Sequence, residues 1–484
     1  MNSPILEEIM FLRNMADKGD LLDDMFVKTS LFHLSAMWNP QLATILHQYL
    51  LQNMDLGFMF EDVFKTPTYE DMIGKMELGQ VVGNEDAYFK YGIDRLPKHV
   101  LATGTSGSGK TNFAKILIEE AVRASISSIK ISDPKSEYQD VVLQHDDFLL
   151  LRWNELRFNP LISPPNVPQN EWWQSIVGHM SQCFNFWAGG EALLIKLITL
   201  AFKEKENPTI PDLISLLEMQ NPKYRQKEYI IMGTIASRLE LMDNLLHDVI
   251  VTDGSVLPEL MKSRCVIQTS GLMSEIESWF LEFLLLWEFM YRIFNPNDRE
   301  LALNIYDECQ HRLFSSEKER NIKKIGSSVI SQLVDEARAL NIAIVALSQE
   351  PSMLVKGMLN NSWLKVAFHL GSGTEVKTMQ DAMGLNEEQT EALFYLETGE
   401  GIVRMAGGGF MDPFPVKFYE YKTNEVFDEE QFRENQKRKK EGIYLNAELK
   451  KIGEADWSNG QTKSKDSHLE NQTDIFNEDY DELG

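Results

Sequence analysis

The sequence predicts an α/β fold with a mostly parallel sheet that is covered by helices on both faces. From about residue 81 to 422, strand-like apolar runs alternate with segments whose apolar residues recur at helical spacing. Between about residues 171 and 260 the spacing is helical throughout, which predicts an all-helical insertion. We therefore expect a helical amino-terminal segment (1–80), an α/β core (81–425) and a charged, largely disordered carboxyl-terminal tail (426–484).

Apolar runs within the core mark the candidate strands, which are 99–103, 127–133, 264–270, 301–308, 342–349 and 365–370. The most apolar run, 279–294, is short and contains Glu282 and Glu288. These two features predict a buried core helix and argue against a membrane span.

Composition and charge limit the classes of function. The chain is 43% hydrophobic and 25% charged, as in ordinary globular proteins. Cys183, Cys265 and Cys309 lack the spacing of disulfides or metal ligands, which favours a reducing cytoplasm, and no membrane association is expected. The net charge of −26 argues against a surface that coats nucleic acid, so any polyanion would bind locally, for instance in a channel.

The stretch "GTSGSGKT" has the pattern of a phosphate-binding loop between a strand and a helix. Its glycines let backbone N–H groups approach phosphate oxygens at the positive end of the helix. The lysine would reach the β- and γ-phosphates, and Thr111 would offer its hydroxyl to Mg²⁺. A chance glycine–serine turn is the alternative, which both flanking segments disfavour. The predicted nucleotide contacts are Gly104, Thr105, Ser106, Gly107, Ser108, Gly109, Lys110, Thr111 and Asn112.

Carboxylates at the end of a second strand would complete the site. Asp307 follows the apolar run "LALNIY" and would hold Mg²⁺, directly or through water. Glu308 points elsewhere and would orient or deprotonate the attacking water. Gln349 ends another strand and either senses the γ-phosphate or the water, or merely opens a loop. Asp133 and Glu137, in "ISDPKSEY", either lie near the nucleotide or form an ordinary turn.

These segments, in this order, resemble the HerA–FtsK superfamily of ring-forming ATPases and its HerA branch in particular. The matching segments are "HVLATGTSGSGKTN", "ISDPKSEY", "IYDECQ", "DEARALNIAIVALSQEPSML", "NNSWLKVAFHL" and "GLNEEQTEALFYLETGEGIVR". The resemblance covers roughly residues 81–421. It implies a RecA-like sheet, ATP as the nucleotide, a homohexameric ring and the pumping of double-stranded DNA through a central pore.

The resemblance also implies an arginine that reaches the neighbouring subunit's site and neutralises charge in the transition state. Arg338 in "DEARALN" matches the position where the family's arginine often lies, and Arg404 on the closing strand is the second candidate. For either residue, a surface ion pair with nearby acids is the alternative.

The sequence departs from the family at its amino terminus. HerA proteins usually begin with a small β-barrel, whereas about 80 mostly helical residues precede the core here. Short HerA-like ATPases of this kind are similar to those that work beside a nuclease or an NAD-consuming effector in phage defence. Two functions therefore stay open: a DNA translocase, and an ATP-gated scaffold that licenses an effector, with a type IV secretion-like energising ATPase as a related possibility.

Overall fold

A computed structural model of the chain describes residues 63–186, 189–219, 226–252, 255–311, 313, 329–422, 430 and 432–443. The chain divides into two compact units, Met1–Phe64 and Lys65–Gly484, and the description below concerns the second. Most of the predicted helical segment 1–80 lies outside the described residues, as does residue 444 onward in the predicted tail. The described end of the first segment contains a 3-10 turn at Tyr69–Asp71 and then a strand.

The described residues form an 11-stranded sheet in the order β2-β1-β11-β10-β9-β3-β8-β7-β4-β6-β5. The strands from β9 to β5 in this order run parallel to one another, and β10, β11, β1 and β2 extend the sheet by antiparallel pairing. The bounds are β1 (Met76–Val81), β2 (Tyr88–Tyr91), β3 (Val100–Thr103), β4 (Ser128–Asp133), β5 (Phe148–Arg152), β6 (Arg264–Gln268), β7 (Ala302–Tyr306), β8 (Ile342–Ser348), β9 (Leu364–Ala367), β10 (Glu400–Met405) and β11 (Phe414–Phe418).

Helices connect and cover these strands. Their bounds are α1 (Lys110–Arg123), α2 (Gln139–Gln144), α3 (Gln169–Phe184), α4 (Gly190–Glu204), α5 (Ile210–Met219), α6 (Gln226–Leu246), α7 (Leu257–Leu260), α8 (Ser274–Phe294), α9 (Val329–Ala337), α10 (Lys356–Asn361), α11 (Gly373–Met383), α12 (Glu387–Ala392) and α13 (432–443). Helices α3 to α7 follow one another between β5 and β6, as the predicted insertion requires.

The central strands are buried on both faces, which explains why they read as continuous apolar runs. In β8, Ile342 and Ile344 pack into the core shared with helices α3 to α8, whereas Ala343 and Val345 pack into the core shared with α1 and α2. Successive side chains of a strand point to opposite faces, so one apolar run supplies both cores. The predicted α/β fold with a mostly parallel sheet is confirmed.

Each of the six predicted strands is present, with ends that differ by at most three residues from the prediction. Strands β1, β2, β5 and β11 were not predicted, and β10 corresponds to the closing strand that the resemblance implies. β5, "FLLLR", is a short apolar run that periodicity cannot distinguish from buried helix. β1, "MELGQV", contains two polar residues and a glycine, and it forms because its backbone pairs with β11 and β2.

Helix α8 contains the most apolar stretch of the sequence, and nearly all of it is buried inside the protein, as predicted. Within the described residues, every helix is either too short or too polar to span a bilayer. Both acidic residues of the run have partners in the core. Glu282 contacts His179 of α3, and Glu288 accepts hydrogen bonds from Lys130 of β4 and Asn304 of β7.

The buried pairing of Glu288 ties α8 to the middle of the sheet. Its carboxylate also accepts from Arg292 Nε at 3.2 Å, one helical turn on. Burial alone would raise the pKa of Glu288, but Lys130 and Arg292 hold it below its ordinary value. Removing one cation would leave a buried charge poorly compensated, which typically costs about 3–5 kcal/mol.

The last described helix, α13, covers the free edge of β5. The Gln436 side chain accepts from Leu150 N at 2.8 Å and donates to Phe148 O at 3.0 Å, as a neighbouring strand would do. Lys440 pairs with Glu155 at 2.7 Å beside it. Part of the predicted tail is therefore an ordered helix, because its glutamine satisfies the backbone groups of an edge strand.

Candidate nucleotide-binding and catalytic site

The phosphate-binding loop lies between β3 and α1, at the carboxyl end of a central strand. Gly107 and Gly109 have φ values of 75° and 118°, in the left-handed region that favours glycine. A Cβ atom at Gly104 would lie 2.5 Å from Ser108 Oγ and 2.7 Å from Phe368 Cβ. The loop therefore requires these glycines, and it ends on the amino terminus of α1, where anions are stabilised.

Two neighbouring segments hold the loop in this conformation. Thr105 N donates to His369 O at 2.9 Å, just after β9. Gly399 N donates to Ser108 O at 2.9 Å, and Thr398 Oγ1 donates to Gly107 O at 3.3 Å, just before β10. Within the loop, Ser108 Oγ donates to Thr105 O at 2.8 Å.

Lys110 lies across the inside of the loop. Its Nζ donates to Gly104 O and to Thr105 O, both at 2.8 Å, and the residue is only 5% exposed. Burial lowers the pKa of Lys110, whereas the nearby Asp307 and Glu308 carboxylates favour its charged form. The ammonium group is thus placed among the loop amides, where a phosphate group would be bound.

Oxygen atoms from three elements meet beside the first turn of α1. Thr111 Oγ1 lies 3.3 Å from Asp307 Oδ2 and 3.1 Å from Glu137 Oε2. Hydroxyl and carboxylate oxygens are the ligands that Mg²⁺ prefers, so Thr111 and Asp307 fit the predicted metal role. A bound Mg²⁺ would neutralise phosphate charge at this point.

Asp307 is fixed in place by its own contacts. Tyr138 Oη donates to Asp307 Oδ2 at 3.0 Å, and Glu308 N donates to Oδ1 at 2.9 Å. Burial raises the pKa of Asp307, and these hydrogen bonds oppose the shift. A cation beside this carboxylate would favour its charged form.

Glu308 points away from Asp307, as the sequence predicted. Its φ of 50° places a non-glycine residue in the left-handed region, a conformation that costs about 1–3 kcal/mol and is concentrated at functional sites. Its carboxylate pairs with Lys135 and accepts a hydrogen bond from Gln349 Nε2 at 2.5 Å. Strand β8 lies between β3 and β7, so Gln349 follows it directly to the site.

Comparison with known proteins agrees with this geometry. Residues 76–244 match the family described as helicase HerA, central domain. The structure of VirB4 from Thermoanaerobacter pseudethanolicus is similar, with a TM-score of 0.54 and 16% identity over 72% of this chain and 97% of that one. The plasmid coupling protein TrwB in complex with GDPNP has a TM-score of 0.53 and 15% identity over 75% and 97%. No curated protein sequence matches the chain. Residues 76–244 thus match the HerA central domain, and the chain has the fold of a P-loop ATPase.

The segment "ISDPKSEY" contains both a turn-forming residue and a residue beside the phosphate-binding loop. Asp133 forms the turn, because its two carboxylate oxygens accept from Glu137 N at 2.9 Å and from Tyr138 N at 3.2 Å. Glu137 lies at the site, where it accepts from Thr111. The turn thus places Glu137 and Tyr138 against the loop and Asp307.

The side chain of Asn112 binds the protein backbone. It donates to Tyr419 O at 2.6 Å and accepts from Tyr421 N at 2.9 Å, which anchors the segment after β11 beside α1. Both ends of the amide are therefore bonded within the protein, and the nucleotide contact of Asn112 stays a prediction. An open cleft of about 370 Å³ lies here, lined by Thr111, Asn112, Lys115, Glu137, Asp140 and Tyr421.

Arg338 lies at the amino ends of the parallel strands, whereas the phosphate-binding loop of its own chain lies at their carboxyl ends. It begins a 3-10 turn (Arg338–Leu340) that precedes β8, and it is exposed. With a rise of about 3.3 Å per residue, the length of β8 separates it from Gln349 by roughly 20 Å. Arg338 makes no ion pair with any residue in the described part of the chain.

Arg404 lies at the same edge as Arg338 but is bound to its own chain. It donates to Met383 O at the end of α11, and in the sheet it is paired with Lys365 of β9. Burial, aided by Arg404, lowers the pKa of Lys365 to about 8. Hence Arg404 caps a helix, a contact that neither of its predicted roles includes.

Sequence reasoning missed Tyr138, Lys135 and the segments at His369 and Thr398 that support the loop. Tyr138 and Lys135 fall within a segment that was noted for its acidic residues. Their contacts depend on the adjacency of β4 and β7, which the sequence does not reveal. The only available signal was their position just after a strand of a parallel sheet.

Proposed function

We propose that this ATPase is a homohexameric ring that uses ATP and Mg²⁺ to move double-stranded DNA, working with an effector protein such as a nuclease. The observation that carries the proposal is that four side chains lie together at the carboxyl ends of the strands: Lys110, Thr111, Asp307 and Glu308. The match of residues 76–244 to the central domain of helicase HerA supports it. The following paragraphs give a role to each group.

In the proposed reaction, the loop amides and Lys110 bind the phosphates, and Thr111 and Asp307 hold Mg²⁺. Glu308 orients the attacking water or accepts its proton, which requires that its carboxylate leave the Lys135 ammonium. Gln349, which donates to Glu308, reports the state of the γ-phosphate to that carboxylate. The Lys135 pair then keeps hydrolysis slow until the ring is engaged.

The placement of Arg338 supports ring assembly. Because it is exposed and about one strand length from its own loop, we assign it to the loop of another copy. A head-to-tail contact between identical subunits closes into a ring, with the arginine edge of one copy beside the loop edge of the next.

DNA would contact the inside of such a ring, since the outer charge is unfavourable. The chain carries a net charge of −26, and the basic run at Lys437 to Lys440 makes ion pairs and hydrogen bonds within α13, with β5 and with Glu155 just after β5. An ATP-gated scaffold that licenses an effector, in phage defence or DNA processing, is the second candidate because this charge balance favours it. An energising ATPase of the type IV secretion kind would likewise not require DNA.

The rate of ATP hydrolysis with linear double-stranded DNA of increasing length separates the two candidates. We expect stimulation that rises with length and then levels off, because a translocating ring stays longer on a longer track. Displacement of a third strand bound to the duplex should require ATP and should be absent in Lys110→Ala. Sedimentation in the presence of a non-hydrolysable ATP analogue should give the mass of six chains.

The scaffold candidate predicts the opposite pattern. Hydrolysis would be unchanged by DNA of any length, and a co-purified protein would raise it. That result, or failure to displace the third strand despite DNA-stimulated hydrolysis, would contradict translocation.

A further inference from the structure

A cluster of three polar side chains lies inside the helical layer, away from the nucleotide loop. His179 and Cys183 are four residues apart on α3 and thus share one face of it, and Glu282 lies on α8. The three are 1%, 7% and 4% exposed. Apolar residues of the larger core surround this His–Cys–Glu cluster, and the ring of Trp279 stacks on His179.

The three side chains bring one nitrogen, one sulfur and one oxygen atom together. His179 Nε2 lies 3.1 Å from Glu282 Oε2, Cys183 Sγ lies 3.1 Å from the same oxygen, and Sγ and Nε2 are 3.3 Å apart. In a tetrahedral zinc site with bonds of about 2.0–2.3 Å, two ligand atoms are about 3.3–3.6 Å apart. Shifts of a few tenths of an ångström would therefore convert the cluster into three corners of such a site.

Hydrogen bonds alone satisfy this cluster poorly. His179 Nδ1 is buried and has no hydrogen-bond partner among the described residues. With Nε2 directed at Glu282, the other ring nitrogen is left buried without a partner in either protonation state of the ring. A metal-bound ring also leaves Nδ1 without a partner, but three coordinate bonds then offset that cost, and the cation neutralises the carboxylate and the thiolate.

We propose that His179, Cys183 and Glu282 bind one divalent transition-metal ion, with zinc the best match to the ligand set. Imidazole and thiolate ligands select zinc over Mg²⁺, so the cation of the ATPase reaction does not compete. Binding requires the thiolate, so the thiol proton passes to solvent and affinity rises with pH.

The proposed ion joins the insertion to the helix that is anchored in the sheet. Glu288, six residues after Glu282 on α8, contacts β4 and β7, and Asp307 of the ATPase site follows β7. A metal bond between α3 and α8 would thus hold the helical layer on the catalytic core. Its role is structural, since the cluster is buried and is not part of the site described above.

Cobalt substitution tests the proposal on the full chain. The protein is stripped with a chelator and desalted, then mixed with one equivalent of Co²⁺ in the presence of excess Mg²⁺, and its absorption spectrum is recorded. We expect a sulfur-to-cobalt charge-transfer band, which Zn²⁺ abolishes. Elemental analysis of the stripped protein after treatment with Zn²⁺ and desalting should give one zinc per chain. Zinc should also raise the thermal unfolding midpoint of the stripped protein.

Three variants make the test specific. Cys183→Ala and the nearly isosteric Glu282→Gln should lose the band or bind the ion far more weakly. Cys265→Ala is the matched control, because burial raises the pKa of that thiol to about 12 and the residue lies in β6. The band should persist in this control.

The outcomes that overturn the proposal are equally definite. A wild-type spectrum without the charge-transfer band shows that no thiolate binds the ion, whatever the variants do. A band that survives in Cys183→Ala places the ion elsewhere. If Cys183→Ala does not fold, Glu282→Gln and the zinc-dependent midpoint of the wild type decide, and an unchanged midpoint refutes the site.

Discussion

The carboxyl ends and the amino ends of the parallel strands, called the carboxyl edge and the amino edge below, differ in their chemistry. At the carboxyl ends of the strands lie the phosphate-binding loop and the carboxylates Glu137, Asp307 and Glu308. At the amino ends lie Arg338 and Arg404, together with the buried Lys365. Among the described residues, the cations at the carboxyl ends, Lys110 and Lys135, are bound within the chain, whereas Arg338 at the amino ends is exposed.

Under the proposed function, this difference means that one copy of the chain contains an incomplete ATPase site. At the carboxyl edge, which is proposed to bind nucleotide and metal, Lys110 and Lys135 are already engaged with the loop and with Glu308. At the amino edge, Arg338 lies about one strand length from the loop of its own copy. A head-to-tail contact would join the two halves, and the predictions below test each half in turn.

The largest effect is expected at the carboxyl edge. Lys110→Ala should abolish measurable hydrolysis and weaken ATP binding, because this ammonium group contacts phosphate in both the ground state and the transition state. Steady-state hydrolysis and binding of a fluorescent ATP analogue measure the two effects. Lys377→Ala, an exposed lysine on α11, is the control and should behave like the wild type. Normal ATP affinity in Lys110→Ala would contradict the placement of the lysine.

The next effect tests the amino edge. Arg338→Ala should still bind ATP and assemble, but its hydrolysis should fall by about 10³-fold or more, as for other arginines that act in trans. Arg123→Ala is the matched control, because this exposed arginine is already paired with Glu119 and Glu120 of its own helix.

Arg404→Ala should lower stability more than it lowers hydrolysis, since Arg404 binds the end of α11.

Mixing inactive subunits separates action in trans from action in cis. Rings that contain both Lys110→Ala and Arg338→Ala chains have some interfaces where an intact loop meets an intact arginine. We therefore expect partial recovery of hydrolysis, measured against each variant alone at equal total concentration. Mixed rings that form but stay inactive would assign Arg338 to its own subunit or to no chemical role.

A smaller effect is expected for Glu308, which belongs to the chemical step alone. Glu308→Gln should bind ATP normally and turn over about 10²–10⁴-fold more slowly, because only activation of the water is lost. Single-turnover kinetics measure this step directly. Glu388→Gln, on the exposed face of α12, is the control. Turnover within a few-fold of the wild type would remove Glu308 from the mechanism.

The sequence predicted the carboxyl edge well because its chemistry is local. The loop, Asp307, Glu308 and Gln349 each directly follow a buried apolar strand, and parallel strands bring their carboxyl ends to one edge. Six strands were predicted for the same reason. The contacts of the Asn112 side chain were not predicted, because its partners Tyr419 and Tyr421 are distant in sequence.

The amino edge and the sheet margins were harder to predict. β1, β2 and β11 depend on antiparallel pairing between residues far apart in the chain, and no strong alternation of apolar residues marks them. The pairing of Lys135 with Glu308 and of Arg404 with α11 likewise depends on which strands are neighbours. The His–Cys–Glu cluster was not predicted, because the spacing of the cysteines alone does not indicate a metal site.

The smallest expected effect concerns His99, which lies at the amino edge beside the turn of Arg338. Ile344 N donates to His99 Nδ1 at 3.2 Å, so the ring's Nε2–H donates to Val334 O at 2.8 Å. Burial lowers the pKa of His99, Arg338 adds to the shift, and Asp335 and the bond to Val334 oppose it. A charged ring would lose its acceptor for Ile344 N.

The sign of the pH effect follows from this lowered pKa. Below the ordinary histidine pKa of about 6.5, the unfolded chain binds a proton that the folded chain excludes, so stability falls as the pH falls.

The variant His99→Gln tests this effect, because glutamine keeps one hydrogen-bond donor and one acceptor but cannot titrate. We expect the unfolding midpoint to drop less between pH 7 and pH 5 in this variant than in the wild type, by about one or two degrees. The other eight of the nine histidines are common to both proteins, so their contributions cancel in the difference. Equal drops in the two proteins would show that His99 is not the group that weakens the amino edge in acid.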